Sequence, residues 1–223
     1  MNPAAAQDRP DYPPPPRGES HWPPLLIIVT AIVLQVLLPD RLVAGPRWLM
    51  PSLEGLIVVT LFVTFPNQIE AHHRWRRRST RTLSGLVTIA NGISLVLLCE
   101  KLLHHNVTQG HPLIIGGALI WLTNVLIFSL WYWELDRGGP GTRAAGEDGD
   151  PDFLFPQMTE TRLCAGWRPQ FFDYLYVSLT NATAFSPTDT MPLSAEAKLL
   201  MGLQSLVSLV TIGLVISRAV NIL

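Results

Sequence analysis

Charge is scarce in this chain, and so is cysteine. Only 15% of its 223 residues are Asp, Glu, Lys or Arg, while 48% are apolar; ordinary soluble domains carry about 25% charge. So little charge cannot solvate a globule on all sides. The near-neutral balance of −1 at pH 7 offers no basic field, and no nucleic-acid partner is expected. Cys99 and Cys164 stand far apart without a CxxC spacing, which excludes a disulfide-stapled module and suggests neither zinc nor a redox pair. Nucleophile elbow, phosphate loop, metalloprotease helix and paired catalytic carboxylates are all missing, so neither an enzyme nor a cofactor is indicated. A cleavable signal peptide is not expected either, because the first apolar run follows a Pro-rich stretch with no basic n-region.

What the chain does have is apolar sequence in blocks. Residues 82–99, 112–133 and 199–217 each run for 18 or more positions without a charge, about the length that crosses hydrocarbon. The fold class expected is therefore all-α, a polytopic transmembrane helical bundle of five spans plus one short segment. Residues 1–21, with four consecutive prolines at 13–16, read as a disordered tail that cannot bury enough apolar area to offset its ordering. Residues 22–135 form a four-helix membrane region, with helices expected at 24–38, 48–65, 82–103 and 112–135. Trp22 anchors the first of these and Pro39 stops it, while Trp131, Tyr132 and Trp133 close the fourth. An acidic, Gly-rich linker covers 136–170. The last unit, 171–223, holds a short aromatic segment ending before Pro187 and a final helix at 195–222.

Arginine sets the expected orientation. Arg74, Arg76, Arg77, Arg78 and Arg81 crowd the connection between the second and third helices, and positive residues are retained on the cytoplasmic side. The N-terminus and the linker then share that side, with Arg41, Arg47 and Lys101 opposite. This predicts a multi-pass protein of the cell (inner) membrane with a cytoplasmic N-terminus and the lipid bilayer as its first partner. An arginine loop gripping anionic headgroups fits the same arrangement.

Residues 173–192, DYLYVSLTNATAFSPTDTMP, resemble the pore region of potassium-channel-like proteins, in which an aromatic pore helix leads into a Thr-rich filter, an acid and a proline. Aligned without gaps, Thr183 falls on the filter threonine, Asp189 on the acid, Pro192 on the proline and Lys198 on the basic residue opening the inner helix. Residues 22–223 also resemble, more loosely, a group of uncharacterised bacterial inner-membrane proteins with an Arg-rich connection after the second helix. The resemblance implies a channel-like fold with several copies around an axis. The residues themselves depart from potassium selectivity: Ser186 and Thr188 stand where the filter needs glycines, with Pro187 between them. A left-handed non-glycine costs roughly 1–2 kcal/mol, and Pro187 fixes its own φ and pushes Ser186 toward extended geometry. The arginine-based orientation leaves the short segment two routes. It re-enters from the cytoplasm, or it crosses as a sixth span; the second keeps Asp189 outside and is the route we expect.

Other polar residues within apolar runs are candidates for a pathway. Glu54 lies in the second helix, where an acid is a functional hypothesis by default, although it stands near the helix start and headgroups would suit it. Asn91 and Asn124 read more simply as interhelical glue. Glu100 and His104 share a helical face, with His105 and His111 nearby, a weak spacing for a metal. In the last helix Gln204, Ser208, Thr211 and Val215 recur at steps of three and four, continued by Arg218. That row lines a pathway or bonds a neighbouring helix: water or ions along Gln204, Ser208, Thr211 and Asp189 would mark the first, dry burial the second. The function expected is a channel-like or transporter-like membrane protein whose pore motif lacks the selective glycines, with ion or solute left open and a homo-oligomer as an open option. The alternative is a structural or partner-binding membrane protein without transport.

Overall fold

The computed structural model describes residues 22–43, 52, 73–104, 110–144, 149–160, 164, 167–184 and 189–220. The expected tail at 1–21, the helix at 48–65 with its Glu54, and the filter residues Ser186, Pro187 and Thr188 lie outside the described residues. Among those described, the long helices are α1 (Trp22–Val36), α2 (His73–His104), α3 (Gly110–Leu135), α6 (Phe171–Ala184) and α7 (Ala195–Val220). Two short helices, α4 (Pro140–Ala144) and α5 (Pro156–Thr159), two single-turn 3-10 helices (Asp40–Leu42 and Asp136–Gly138) and two short strands, β1 (Phe153–Leu154) and β2 (Met191–Pro192), complete the set.

α3 is the centre. Its sequence is apolar on every side, which suits a helix surrounded by protein or by lipid. Residues 123–130 are all buried, with α7, α6, α2 and α1 each packed against it. All four run opposite to α3. Leu42, just after α1, lies against Gly116 near the start of α3, and Val215 near the end of α7 lies against Gly117. Arg81 near the start of α2 donates to the Glu134 carbonyl at the end of α3 (3.5 Å), and Phe171 at the start of α6 packs edge-on against Trp133. A Cβ on Gly116 or Gly117 would overlap the leucine or valine that fills its place, so Gly116 admits the turn after α1 and Gly117 admits α7.

The core divides along α3. Around its start the packing is aliphatic, with Leu38, Leu42, Leu95, Leu98, Leu113 and Ile120. Around its end it is aromatic, built on Phe128, Tyr132, Trp133, Phe153, Phe155 and Tyr174. Rings there meet at 5.2–6.4 Å in tilted or edge-on pairs, the arrangement that aromatic quadrupoles favour.

Two expectations need correction. The arginine-rich stretch is not a loop: α2 begins at His73 and runs for 32 residues, because Arg is a good helix former and no Gly or Pro interrupts the stretch. The short segment does not cross as a sixth span. α6 starts beside Trp133 at the end of α3, and the chain that follows it returns to β2, which pairs antiparallel with β1 (Phe153 opposite Pro192, Leu154 opposite Met191). Phe153 is tied to Asp136 at that same end of α3, so α6 enters and leaves on one side. Three helices, within Arg81–Lys101, Pro112–Gly138 and Ala195–Val220, are long and apolar enough to cross a membrane, and α1 is shorter. The count of five spans therefore does not follow from the described residues.

Candidate functional site: a re-entrant helix and its polar seat

α6 is 14 residues long, about 21 Å, and it is held at two levels. The upper level hangs it from the end of α3. Asp136 is fully buried; one carboxylate oxygen accepts from the Tyr174 hydroxyl (2.6 Å), the other from the backbone N–H groups of Asp152 (2.9 Å) and Phe153 (3.3 Å). Arg137 Nε stands 3.9 Å from the same carboxylate. Arg143 reaches back from α4 to donate to the carbonyls of Trp133 (3.0 Å) and Asp136 (2.6 Å), and its guanidinium lies 5.6 Å from the centre of the Tyr174 ring. One buried carboxylate therefore joins α3, β1 and α6.

The turn that makes this possible is strained. Arg137 has φ 51°, followed by Gly138 at 79° and Gly139 at 98°. Glycine takes such angles freely, whereas arginine pays for them. The Asp152 carboxylate accepts from the Arg137 backbone N–H (3.1 Å) and holds the turn. At the mouth of α6, Asp173 accepts from the Gln170 N–H (2.7 Å). Burial raises the Asp173 carboxyl above its ordinary value, and that hydrogen bond opposes the rise.

The second level lies deeper and is centred on Gln204 of α7, which is fully buried. Its amide nitrogen donates to the Ser178 carbonyl (3.0 Å) and hydroxyl (2.7 Å), and its oxygen accepts from Tyr132 (2.5 Å) and Asn181 (2.8 Å). Asn181 also donates to the Met201 carbonyl (3.0 Å) and accepts from Ser205 (3.1 Å). Ser178 donates to the Val125 carbonyl (2.6 Å). Asn124 donates to Ser208 (2.9 Å) and to the Gln204 carbonyl (3.3 Å). Every hydrogen-bonding position of the Gln204 side chain is used, as buried amides require.

The row expected in the last helix thus exists as a row, and it faces inward. Gln204, Ser208 and Thr211 are all buried; Thr211 donates to the Val207 carbonyl one turn back (2.7 Å), and Val215 packs on Gly117. Asn91 likewise donates across to the Ile120 carbonyl (3.3 Å). Thr183 sits on the exposed face of α6 and Asp189 is exposed, five positions before the Ser194 hydroxyl that caps α7 by accepting from the Ala197 N–H (3.1 Å). Glu100 is exposed on α2 and His104 ends that helix, and the described residues include no group of three His, Cys, Asp or Glu suited to a metal.

Sequence reasoning missed Tyr132, Asp136, Arg143, Tyr174, Ser178 and Asn181. Tyr132 read as part of an interfacial belt and Asp136 as the first residue of a linker. Four of them had a signal: Asp136 stands two residues before paired glycines, and Tyr174, Ser178 and Asn181 recur at steps of four and three, a helical stripe.

Long apolar helices around a central one, with a short helix entering from one end, define a helical membrane protein. No family model, curated protein or solved structure matches the chain.

Proposed function

We propose that this protein is channel-like, with a path for a cation or small solute beside the carboxyl end of α6. One observation carries the reading: α6 ends part-way down the apolar stretch of α7, and its last two residues, Thr183 and Ala184, are exposed. Asn181 is level with Met201 and Gln204, about 9 and 14 Å along α7 from Ala195, and Thr183 and Ala184 beyond it are exposed. Lipid offers no donors, so backbone that leaves a helix at that depth needs either protein or water beside it. The carboxyl end of a helix also presents carbonyl oxygens and a partial negative charge, which suit a cation. Without glycines at Ser186 and Thr188 the path is not potassium-selective.

The packing alternative has its own support, since Gln204, Ser208 and Thr211 spend their hydrogen bonds inside the bundle. Of these, Gln204 is the seat of α6, whichever reading holds, while Ser208 ties α7 to α3 through Asn124. Flux of several cations into liposomes carrying the purified chain separates the two. Cation entry above that of empty liposomes is expected; tight liposomes with correctly inserted protein would leave only the packing role. The arginine segment points to the cytoplasm in this reading, so α6 enters from inside. A cysteine at Ser79 should react with an impermeant thiol reagent only from the cytoplasmic side, and labelling of intact cells would reverse the orientation.

A further inference from the structure

We infer that the open outer face of α2 is the seat of residues 48–65, which recross the apolar layer antiparallel to α2 and pack against Gly85, Ile89, Gly92 and Val96. The directions of the described helices carry this. α1 and α2 both run opposite to α3, and therefore parallel to each other. A chain that has finished α1 must come back through the layer before it can begin α2. Residues 44–72 make that return; Ser52 within them is helical, and the rest lie outside the described residues. Both ends of the return belong to α2. The turn at Asp40–Leu42 packs beside the last part of α2, where Leu42 shares a cluster with Leu95 and Leu98, and the return finishes at His73, the first residue of α2.

Length and composition fit that path. Residues 55–69 hold no charge, and a helix over 48–65 is about 27 Å long, close to the roughly 30 Å between Arg81 and Lys101 of α2. Residues 66–72, at up to about 3.3 Å each, reach some 20 Å, more than the roughly 12 Å by which α2 extends beyond Arg81 to His73. The ring around α3 is already filled: α1, α2, α6 and α7 pack against it, and residues 123–130 are buried throughout. The returning run therefore lies outside that ring. On α2 Gly85, Ile89, Gly92 and Val96 recur at steps of four and three. Ile89 and Val96 are each more than half exposed, and no described atom lies within 4 Å of where a Cβ on either glycine would stand. Such glycines let a helix backbone approach closely, whereas lipid suits Ile89 and Val96 as well as protein does. A run tethered at both ends of α2 also meets this face at high effective concentration. Gly202 and Gly213 on α7 are open too, but only α2 continues the run covalently.

The test is disulfide formation in membranes, in the full chain carrying Cys99→Ala and Cys164→Ala together with Ile89→Cys. Val58→Cys, Val59→Cys, Thr60→Cys or Leu61→Cys is added one at a time; these positions come level with Ile89 when the run lies antiparallel along α2. Oxidation should join one or two of the four to Ile89→Cys within a single copy, since a helix turns only one side to its neighbour. Trypsin cuts after Arg47, Arg74, Arg81 and Lys101. The link then appears as peptides 48–74 and 82–101 held together until reduced, from protein that runs at single-copy mass before digestion. The same four with Leu203→Cys on α7 in place of Ile89→Cys should give no linked pair. Links to Leu203→Cys alone would move the run to α7 and overturn the inference. So would links found only between copies, which would make the face an interface with a second chain. No link at any of the four, in protein that stays in carbonate-washed membranes, would leave the face to lipid and overturn it as well.

Discussion

α3 and α7 have the same length, and their most apolar stretches have the same mean hydropathy, yet 67% of that stretch is buried within the protein in α3 and only 22% in α7. In water such a difference would be unstable, because apolar side chains would drive α7 inward. In a bilayer, tails solvate leucine as well as protein does, so apolar character no longer says which helix is central. What separates the two is the small and polar minority. α3 carries Gly116 and Gly117, which admit neighbours, and Asn124 and Tyr132, which bond to two of them. α7 confines its buried polar residues to one face, with Gln204, Ser208 and Thr211, and leaves the opposite face leucine-rich.

That contrast is broken most severely where a charge is sealed. Asp136→Ala removes a buried carboxylate and leaves Tyr174 and two backbone N–H groups without their acceptor. A loss of about 3–5 kcal/mol is expected for breaking such a buried charged group, read as a lower unfolding midpoint in detergent. Asp136→Asn should recover part of it, since the amide oxygen still accepts. Equal, near-zero effects for both would mean that the end of α3 does not hold α6.

Next in size is Gln204→Leu, which keeps the volume and deletes four hydrogen bonds at once. Leaving Tyr132, Asn181 and Ser178 short of partners should cost roughly 3 kcal/mol. Leu206→Gln, which adds the same amide on the open side of α7, should leave the packing of α6 intact. A matching loss of native packing, read by tryptophan fluorescence in both variants, would show that the two faces of α7 are equivalent.

The mildest test compares two glycines. Gly117→Ala forces its Cβ into Val215, and overpacking of that kind costs roughly 1–3 kcal/mol. Gly213→Ala meets open space within the copy and should stay within about 0.5 kcal/mol in a monomeric detergent preparation. The pair is compared by thermal unfolding. Similar shifts would remove the distinction between a packed and an open helix.

Charge-free runs of sufficient length determined the class of this protein, because crossing hydrocarbon imposes a length and a composition that can be counted. The same counting located α3, α6 and α7 to within a few residues, and the polar row on α7 was visible as a period of three to four. Tertiary structure alone decided which way that row faces: helical periodicity fixes which residues share a face and says nothing of what the face meets. It also decided that α6 turns back instead of crossing, through a β1–β2 pair of two residues each, too short to leave a pattern. The tie through Asp136 joins residues 16 to 38 positions apart, and a hydrogen bond between distant segments leaves no mark on either segment alone.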